Sequence, residues 1–447
     1  MKNQKVLIIC LLTAFFVLSA VPVIRHFIFS DTLIGEQAYY HKMLAENLPK
    51  DATTYHYLLH YMSYLGGYDA WSKILPIIFG VLSVYLFYLL LSKFIRNNER
   101  VMYTVLISIV SPVFIYTFTT SSPNSLRVFS ILLGFFMFLS RNEAVSISSV
   151  AVFLLAAPDY FTSILIAILL ATYYFFERKS LWKIIAFVLV LFGFNVIVGS
   201  YLITIYSAPP SSFIEALLSD FGNIAGLSLF TIIFFFMGIA EMWKETKFAL
   251  YPFIALVIFS LYLTVEKLIF LNFFVAIFAG SGLMRLVKKE WKVTLIKELM
   301  VFLLICGLVF SSVSAGTRMI SSDPSHQKIS GFEWLGKHSS EGNIVFSQYK
   351  NGFLIDSVSG RKPLLDDFSM RQPEFSSIID DSEKIMKSRV LENTEAILQK
   401  YNISYILFDA EMKKSLEEDD GLLFVLGSSK FRQVFYNNEI WIWKYEP

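Results

Sequence analysis

Long apolar runs constrain the fold of this chain more than any other feature of its sequence. The first run covers Val6 to Ile24, and ten more follow at about 74–92, 101–119, 126–140, 144–157, 160–176, 182–206, 224–242, 248–265, 268–284 and 298–315. A helix that crosses a bilayer needs about 20 mostly apolar residues, so these runs have the composition of membrane spans. The chain is 17% charged, whereas a soluble protein carries about a quarter charged residues. The sequence therefore predicts an α-helical polytopic membrane domain of about 11 spans over residues 1–315.

Some of these runs leave alternatives open. The first run could also be a cleaved signal peptide with Ser19-Ala20 as its cleavage site, but its apolar core is long for that and favours an uncleaved anchor. The runs 144–157 and 160–176 are divided by Pro158-Asp159. They form either two tilted helices or one span with a re-entrant piece.

The placement of lysine and arginine indicates how the spans are oriented. With a cytoplasmic N-terminus, the inner ends of the spans carry sixteen basic residues and the outer ends carry six before residue 316. Positive residues collect on the cytoplasmic side of membrane proteins, so this bias favours a multi-pass plasma-membrane protein with a cytoplasmic N-terminus. The segment 30–72, the loop 207–222 and everything after about residue 316 are then extracytoplasmic.

The tail 316–447 has the composition of a soluble domain, with sixteen basic and twenty acidic residues. Its apolar bursts predict helices at Gly331–His338 and Glu392–Tyr401, and strands at Asn343–Gln348, Ser404–Phe408, Phe431–Tyr436 and Ile440–Tyr445. Asn437-Asn438 joins the last two strands into a hairpin, because asparagine tolerates the positive φ of a two-residue turn. Helices and strands alternate, which predicts an extracytoplasmic soluble α/β domain.

Charge and cysteine content argue against several kinds of function. The net charge of +2 argues against a nucleic-acid partner. Cys10 and Cys306 both lie inside apolar runs, so the chain offers no disulfide framework and no cysteine metal site. The centres of the runs hold almost no ionisable residues, whereas transporters place such residues near the middle of the bilayer.

Polar residues gather instead at the outer ends of the runs. They are Asp31, Glu36, His41, Arg127, Asp159, Glu215, Asp220, Glu266 and Lys267. A carboxylate and a cation at the outer membrane face suit chemistry on a lipid phosphate, because a base can activate an acceptor while a cation neutralises the departing phosphate. The cations also have structural alternatives: Lys267 fits a snorkelling lysine at a hairpin, and Arg127 fits an anchor at the start of a span.

The segment after the first run carries the most informative of these residues. Helical spacing puts Glu36, Tyr40, Met43 and Leu44 on one side of a helix, with Glu36 at its N-terminal end. The same spacing also fits an interfacial amphipathic helix whose carboxylate is solvated. Spacing alone therefore leaves both a catalytic and a structural interpretation of Glu36.

Short motifs in and after this segment resemble one family. They are Gly35-Glu36-Gln-Ala-Tyr39-Tyr40 and Met43-Leu-Ala45-Glu46 after the first span, Leu75-Pro-Ile-Ile-Phe-Gly80 at the second, and Glu266-Lys267-Leu-Ile-Phe270 at a late one. Together they are similar to the GT-C superfamily of membrane glycosyltransferases, which use polyprenyl-phosphate-linked sugars at the outer face. The resemblance implies a GT-C-like membrane domain.

The tail is similar to archaeal oligosaccharyltransferase-like proteins. The likeness rests on Phe332-Glu-Trp334-Leu335, Gly342-Asn-Ile-Val345, Gly352 and Gly360-Arg361-Lys-Pro. Where those enzymes carry a Trp-Trp-Asp-Tyr-Gly signature that helps to read the acceptor, this chain has Gln348-Tyr349-Lys350-Asn351-Gly352. Gly35 stands where the family usually has an aspartate, and residues 117–125 hold no Asp-x-Asp. These departures argue against transfer to asparagine and leave metal dependence open.

The resemblance implies an inverting glycosyltransferase of an archaeal plasma membrane. Its donor is a polyprenyl-phosphate-linked sugar, its surroundings are membrane lipids, and its acceptor is a protein, a lipid or a glycan. The implied roles are catalysis for Glu36 and Asp31, binding of the donor phosphate for Lys267 and Arg127, and contact with the acceptor for Tyr40, His41 and Tyr349. A divalent metal, Mg²⁺ or Mn²⁺, would bind Asp31 and Glu36.

Two other functions remain open. A catalytically degenerate relative could scaffold or regulate envelope-glycan assembly, which the missing aspartates favour. A flippase or other transporter of lipid-linked sugars is the second. Transporters usually show internal repeats and ionisable residues at the midplane, and neither is found in this sequence.

Overall fold

A computed structural model describes residues 2–29, 32–49, 52–156, 160–177, 181–198, 217–246, 268–366, 375–419 and 421–447. The chain divides into two compact units. The first unit is Met1–Ile24 with Asp51–Ile320, and the second is Arg25–Lys50 with Ser321–Pro447. The described residues of 25–50 therefore pack with the C-terminal tail, although sequence alone assigned the segment 30–72 to the membrane domain.

The described parts of the apolar runs in the first unit are mostly helical, although residues 224–228 at the start of one run are not. The helices are Lys2–Phe29, Thr54–Ser63, Tyr68–Phe94, Asn98–Ile109, Pro112–Thr119, Pro123–Phe138, Glu143–Ala156, Tyr160–Glu177, Leu181–Val198, Leu229–Thr246, Leu268–Lys288 and Thr294–Ile320. The first of them ends in the second unit. The predicted span 248–265 and the break at Pro158-Asp159 lie outside the described residues.

The predicted number of about 11 spans is not confirmed. Within the described residues, four helices are long and apolar enough to cross a membrane: Gln4–Ile28, Tyr68–Phe94, Leu268–Lys288 and Thr294–Ile320. Several others are apolar but short. The 16 residues of Pro123–Phe138 rise only about 24 Å, against a hydrocarbon core of about 30 Å. The chain is a multi-pass membrane protein, and its apolar helices differ in length more than the hydropathy pattern indicates.

The predicted span 101–119 is broken. Its two halves, Asn98–Ile109 and Pro112–Thr119, meet at an angle of 62°. Pro112 explains the break, because proline has no N–H to donate and its ring clashes with the preceding helical turn. The hydroxyl of Ser312 donates to the carbonyl of Val110, which the break leaves without its helical partner. If the two halves count as one span, five candidate spans are described.

Two helices of the first unit pack backbone against backbone. They are Leu229–Thr246 and Leu268–Lys288. Gly238 faces the carbonyl of Phe278, and Gly282 faces a carbonyl of the first of these helices. A Cβ at either glycine would overlap that carbonyl. Small residues allow membrane helices to approach this closely, so the glycines set the distance between the two helices.

The second unit contains a mixed five-stranded sheet of order β2-β1-β3-β5-β4. The strands are β1 (Ile344–Phe346), β2 (Lys362–Pro363), β3 (Ile403–Asp409), β4 (Phe431–Tyr436) and β5 (Ile440–Tyr445). β1 is parallel to β2 and β3, whereas β5 is antiparallel to β3 and β4. The helices are Glu36–Asn47, His326–His338, Phe375–Lys387, Leu391–Lys400, Ala410–Asp419 and Leu422–Leu426, with short helical turns from Tyr349 to Ser359. The tail is thus α/β, as the sequence predicts.

Both faces of this sheet are buried at β3. Successive side chains of a strand point to opposite sides, so alternate residues of β3 enter two different cores. Ile406 and Phe408 pack among residues of the four C-terminal helices. Tyr405 and Leu407 pack on the other face, among Leu33, Ala38, Tyr39, Phe332, Leu335, Leu354 and Ile355. The apolar residues before and within helix Glu36–Asn47 therefore belong to the core of the C-terminal sheet.

The hairpin of β4 and β5 has the predicted bounds but a different turn. Asn437 and Asn438 do not adopt a positive φ; outside glycine, Leu48 and Asn402 are the positive-φ residues of the described chain. Instead, the side-chain oxygen of Asn437 accepts hydrogen bonds from the backbone N–H groups of Glu439 and Ile440, at 3.0 and 2.8 Å. Asparagine therefore closes this turn through its side chain.

The glycine contact between the two membrane helices leads to a stability prediction. We expect Gly238→Ala and Gly282→Ala each to lower the free energy of unfolding by about 1–3 kcal/mol, because the added methyl forces the backbones apart. Gly193→Ala is the control, since a Cβ there meets nothing within 4 Å. Thermal unfolding in detergent measures the difference, and equal midpoints for all three variants would contradict the assignment.

Candidate active site

The second unit buries one lysine among three carboxylates. The Lys328 ammonium lies 3.1 Å from Glu36 Oε1, 3.2 Å from Asp409 Oδ2 and 3.3 Å from Asp323 Oδ2. The Lys328 side chain is 5% exposed, against 21% for Glu36, 12% for Asp409 and 65% for Asp323. We call these four residues the lysine–carboxylate cluster. It brings the candidate catalytic Glu36 into the C-terminal unit.

Lys328 is buried because it lies on the apolar face of its helix. Helix His326–His338 begins after Ser325, whose hydroxyl accepts a hydrogen bond from the Lys328 N–H at 3.0 Å. This cap starts the helix five residues before the predicted Gly331, since a serine N-cap satisfies one of the first free N–H groups. Phe332 and Leu335 follow Lys328 at helical spacing on the same buried face.

The carboxylates reach Lys328 from three separate parts of the chain. Asp409 ends β3 and caps the next helix, with its Oδ1 accepting from the Met412 N–H at 2.9 Å. Its Oδ2 also accepts from the Asn351 amide at 3.2 Å. β1 and β3 are parallel, so the chain segments that follow them meet at one edge of the sheet. Asp409 and the stretch 348–352, which stands where the similar enzymes carry their acceptor-reading signature, therefore lie at this edge.

Glu36 stands in the first turn of its helix, directly after Gly35. Gly35 has a φ of 79°, which only glycine adopts without strain. Its N–H donates to the Asp323 carbonyl at 3.2 Å. An aspartate at position 35, as the family usually has, would strain this backbone, and the departure from the family pattern thus has a structural reason.

Burial and charge act on these groups in opposite directions. Burial raises the pKa of the Glu36 carboxyl above its ordinary value, and the Lys328 ammonium lowers it only in part. For Asp409, burial also raises the pKa, but Lys328, the Met412 N–H and Asn351 outweigh it and leave the pKa below its ordinary value. Burial lowers the pKa of Lys328, and the three carboxylates more than reverse this. Lys328 is therefore a permanent cation at neutral pH, and Glu36 is more easily protonated than Asp409.

The candidate acceptor residues lie in the same unit as Glu36. The Tyr40 ring lies 4.8 Å from the Phe353 ring, at 33°, so one of its faces is covered. Tyr349 is 48% exposed. The neighbouring Lys350 pairs with Glu411 at 2.9 Å. His41 is half-buried beside Tyr40.

Arg25 anchors the segment that carries Glu36. Its guanidinium is 2% exposed and donates to the carbonyls of Ser322, Pro324 and Leu33, at 2.8, 2.9 and 3.1 Å. Arg25 is one of the six basic residues that the sequence places at the outer ends of the apolar runs. Its buried position next to Ser322 and Pro324 fixes the start of this segment against the tail.

Arg127 lies in the first unit, in the second turn of helix Pro123–Phe138. It donates to Asn124 Oδ1 at 3.1 Å. His56 is buried, and burial together with Arg127 lowers the pKa of His56 to about 4. The imidazole is thus neutral at neutral pH, so the positive charge near this helix start belongs to Arg127. The free N–H groups and the dipole of a helix N-terminus favour an anion, and the Arg127 guanidinium adds a positive charge near this end.

The other candidate residues cannot be assigned a geometry. Asp31 and Lys267 lie outside the described residues, as do Asp159, Glu215 and Glu266. Their roles stay predictions from the sequence.

A divalent metal at Glu36 fits the described donor atoms poorly. Asp409 already uses both of its oxygens, and Glu36 shares Oε1 with an ammonium. Over the described ranges, no group of three or more histidine, cysteine, aspartate or glutamate side chains is arranged to hold a metal ion. The carboxylates of the cluster surround Lys328 instead.

Sequence reasoning missed Lys328, Asp409 and Asn351. A signal existed for the first two. A lysine at helical spacing from Phe332 and Leu335 is a charge on an apolar face, and an aspartate between a buried strand and a helix is a typical N-cap. No pattern in the sequence pairs Lys328 with Glu36 or with Asp409, because these two residues lie 292 and 81 positions away from it in the chain.

The fold of this chain is similar to that of several solved structures. Archaeal oligosaccharyltransferase AglB from Archaeoglobus fulgidus, in complex with an inhibitory peptide and a dolichol-phosphate, has a TM-score of 0.63 at 12% identity, over 92% of this chain and 70% of that chain. The oligosaccharyltransferase of that organism in complex with Zn and sulfate has a TM-score of 0.63 at 13% identity, and the match covers 95% of this chain and 71% of that chain. ArnT from Cupriavidus metallidurans, bound to undecaprenyl phosphate, has a TM-score of 0.55 at 10% identity, and the match covers 96% of this chain and 97% of that chain.

These similarities show the fold. No protein-family model and no curated protein matches the sequence. AglB and ArnT are both GT-C glycosyltransferases, and at 10–13% identity they establish a shared architecture. The resemblance to the GT-C superfamily that the sequence indicates is therefore confirmed as a likeness of fold.

The lysine–carboxylate cluster generates a stability prediction. We expect Lys328→Met to lower the free energy of unfolding by about 3–5 kcal/mol, because it leaves buried carboxylates without their cation. Lys337→Met is the matched control on the same helix. Lys337 pairs with Glu333 at 3.9 Å on the surface, and such pairs contribute about 0–1 kcal/mol. Denaturant titration of both variants measures the difference, and similar losses would show that Lys328 is not a buried partner.

Proposed function

We propose that this chain is a GT-C membrane glycosyltransferase that moves a sugar from a polyprenyl-phosphate-linked donor to an acceptor at the outer face of the plasma membrane. The observation that carries the proposal is the likeness of fold to two proteins solved with lipid phosphates. These proteins, with dolichol-phosphate and undecaprenyl phosphate, match 92% and 96% of the chain. An inverting displacement fits, because it needs one base and stabilisation of the departing phosphate.

Glu36 is the proposed general base. It is partly buried and partly exposed, and Lys328 holds one of its oxygens. Its other oxygen, Oε2, makes no hydrogen bond in the described part of the chain and is available to a nucleophilic hydroxyl or amide. Burial raises the pKa of Glu36 towards that of an effective base at neutral pH. Asp31 would assist it.

The remaining proposed roles follow the chemistry of each side chain. Arg127 and Lys267 bind the donor phosphate, since guanidinium and ammonium groups neutralise the charge that develops on it. Tyr40, His41 and Tyr349 contact the acceptor. Tyr349 is the exposed aromatic of the stretch that follows β1, whereas the ring of Tyr40 lies against that of Phe353.

A second candidate function is a catalytically degenerate GT-C relative that scaffolds or regulates envelope-glycan assembly. The lysine–carboxylate cluster favours it, because Glu36 has a structural partner in Lys328. The missing acidic residues at 117–125 favour it as well. The two functions differ in one measurable property, which is transfer of sugar by the purified protein.

Transfer in a reconstituted membrane tests the proposal. The purified chain in liposomes receives polyprenyl-phosphate-linked sugars and a panel of peptide, lipid and glycan acceptors. We expect transfer, and we expect Glu36→Gln to reduce its rate by about 10²–10⁴-fold, the usual contribution of a general base. Glu333→Gln, an exposed carboxylate on helix His326–His338, is the control and should leave the rate unchanged. Unchanged transfer by a folded Glu36→Gln protein would remove Glu36 from the mechanism.

The pH dependence of transfer provides a separate prediction. Glu36 acts as a base only when ionised, and burial raises its pKa above the ordinary value of 4.5. The rate should therefore fall as the pH decreases, with the midpoint of this acidic limb above pH 4.5. A profile of kcat/KM against pH measures it. The limb should be retained by Glu333→Gln and absent from the residual rate of Glu36→Gln.

A further inference from the structure

We propose that Lys328 is the resident cation of the Glu36 site, and that its fixed ammonium takes the position where a divalent metal would otherwise bind. The inference rests on the proposed function for its catalytic part. Its structural part, exclusion of a metal from the cluster, can be tested without any activity. In this scheme Lys328 is a positioning residue, because it acts through Glu36.

The first support is the position of the ammonium. It lies between three carboxylates at 3.1–3.3 Å, the distance of direct ion pairs. The oxygens come from Glu36, Asp323 and Asp409, and hard divalent cations prefer such carboxylate oxygens. A cation among them is already supplied by the chain itself.

The second support is the use of the remaining donor atoms. Asp409 accepts from Met412 through Oδ1, and from Lys328 and Asn351 through Oδ2. Both of its oxygens are therefore engaged. A metal at Glu36 would have to displace the ammonium or lie close to it, and like charges repel strongly at such distances in a partly buried site.

A fixed ammonium has a chemical consequence that a metal does not share. It is present in every folded molecule, so the state of Glu36 does not depend on the concentration of a divalent ion. The ammonium also favours the ionised form of the Glu36 carboxylate, because opposite charges attract at this distance. Glu36 is held in one orientation by the same contact.

Binding of Mn²⁺ to the full-length protein in detergent tests the structural part. Electron paramagnetic resonance of Mn²⁺ and isothermal titration should show no stoichiometric site in the wild type. In the described chain the three carboxylates surround an ammonium and are not arranged to hold a metal ion. Lys328→Ala removes that ammonium, and we expect the three carboxylates of this variant to rearrange around one Mn²⁺, because their negative charges are left without a cation. Added Mn²⁺ should also raise the Tm of Lys328→Ala but not that of the wild type, because a ligand stabilises the state that binds it.

Two further variants keep the result interpretable. Lys328→Arg retains the positive charge and should exclude Mn²⁺ as the wild type does. In Lys328→Ala with Glu36→Gln, one of the three carboxylates is lost, so Mn²⁺ binding should weaken at least tenfold. A stoichiometric Mn²⁺ site in the wild type that Glu36→Gln abolishes would overturn the inference, even if Lys328→Ala does not fold.

Transfer activity tests the catalytic part. The wild-type rate should be unchanged by an excess of EDTA, and Lys328→Ala should lose activity in EDTA and recover part of it with Mn²⁺. A wild-type rate that EDTA abolishes and Mn²⁺ restores would overturn metal independence. If no donor supports transfer under any condition, the proposed function fails while the Mn²⁺ titrations still decide whether Lys328 excludes a metal.

Discussion

The second unit depends on the neutralisation of one buried ammonium. Lys328 is 4% exposed, and an uncompensated charge at such a depth costs several kcal/mol. Three carboxylates provide the compensation, from the start of helix Glu36–Asn47, from Asp323 and from the end of β3. The parts of the chain that meet at this point are far apart in sequence. The unit is therefore complete only when the segment after the first helix and the tail fold together.

This dependence gives the segment after the first helix two roles at once. Leu33, Ala38 and Tyr39 fill the core on one face of the sheet, and Arg25 holds the carbonyls on either side of Asp323. Glu36 then occupies a position determined by packing around it and by the ion pair. A carboxylate fixed in this way is a suitable base, since a small displacement of a catalytic group lowers a rate strongly. The same contacts also explain why a structural role for Glu36 is a serious alternative.

In the first unit, hydropathy and structure agree on where the helices are and differ on which of them are long enough to span. The run 101–119 is apolar throughout, yet Pro112 bends it by 62°. The close packing at Gly238 and Gly282 depends on which faces of two helices meet. A window average of apolar character contains neither kind of information, because it records composition and not the direction of each side chain.

The sequence by itself determined the multi-pass membrane character, the α/β nature of the tail and the bounds of β4 and β5. Each of these follows from local composition and periodicity, which short-range physics converts directly into helices and strands. It also singled out Glu36, Tyr40 and Tyr349. Only the tertiary structure decided that Lys328 pairs with both Glu36 and Asp409, that Asn351 donates to Asp409, and that Asn437 closes its turn through a side chain. Burial of a charge is a property of contacts between distant segments, and no local pattern specifies which segments will meet.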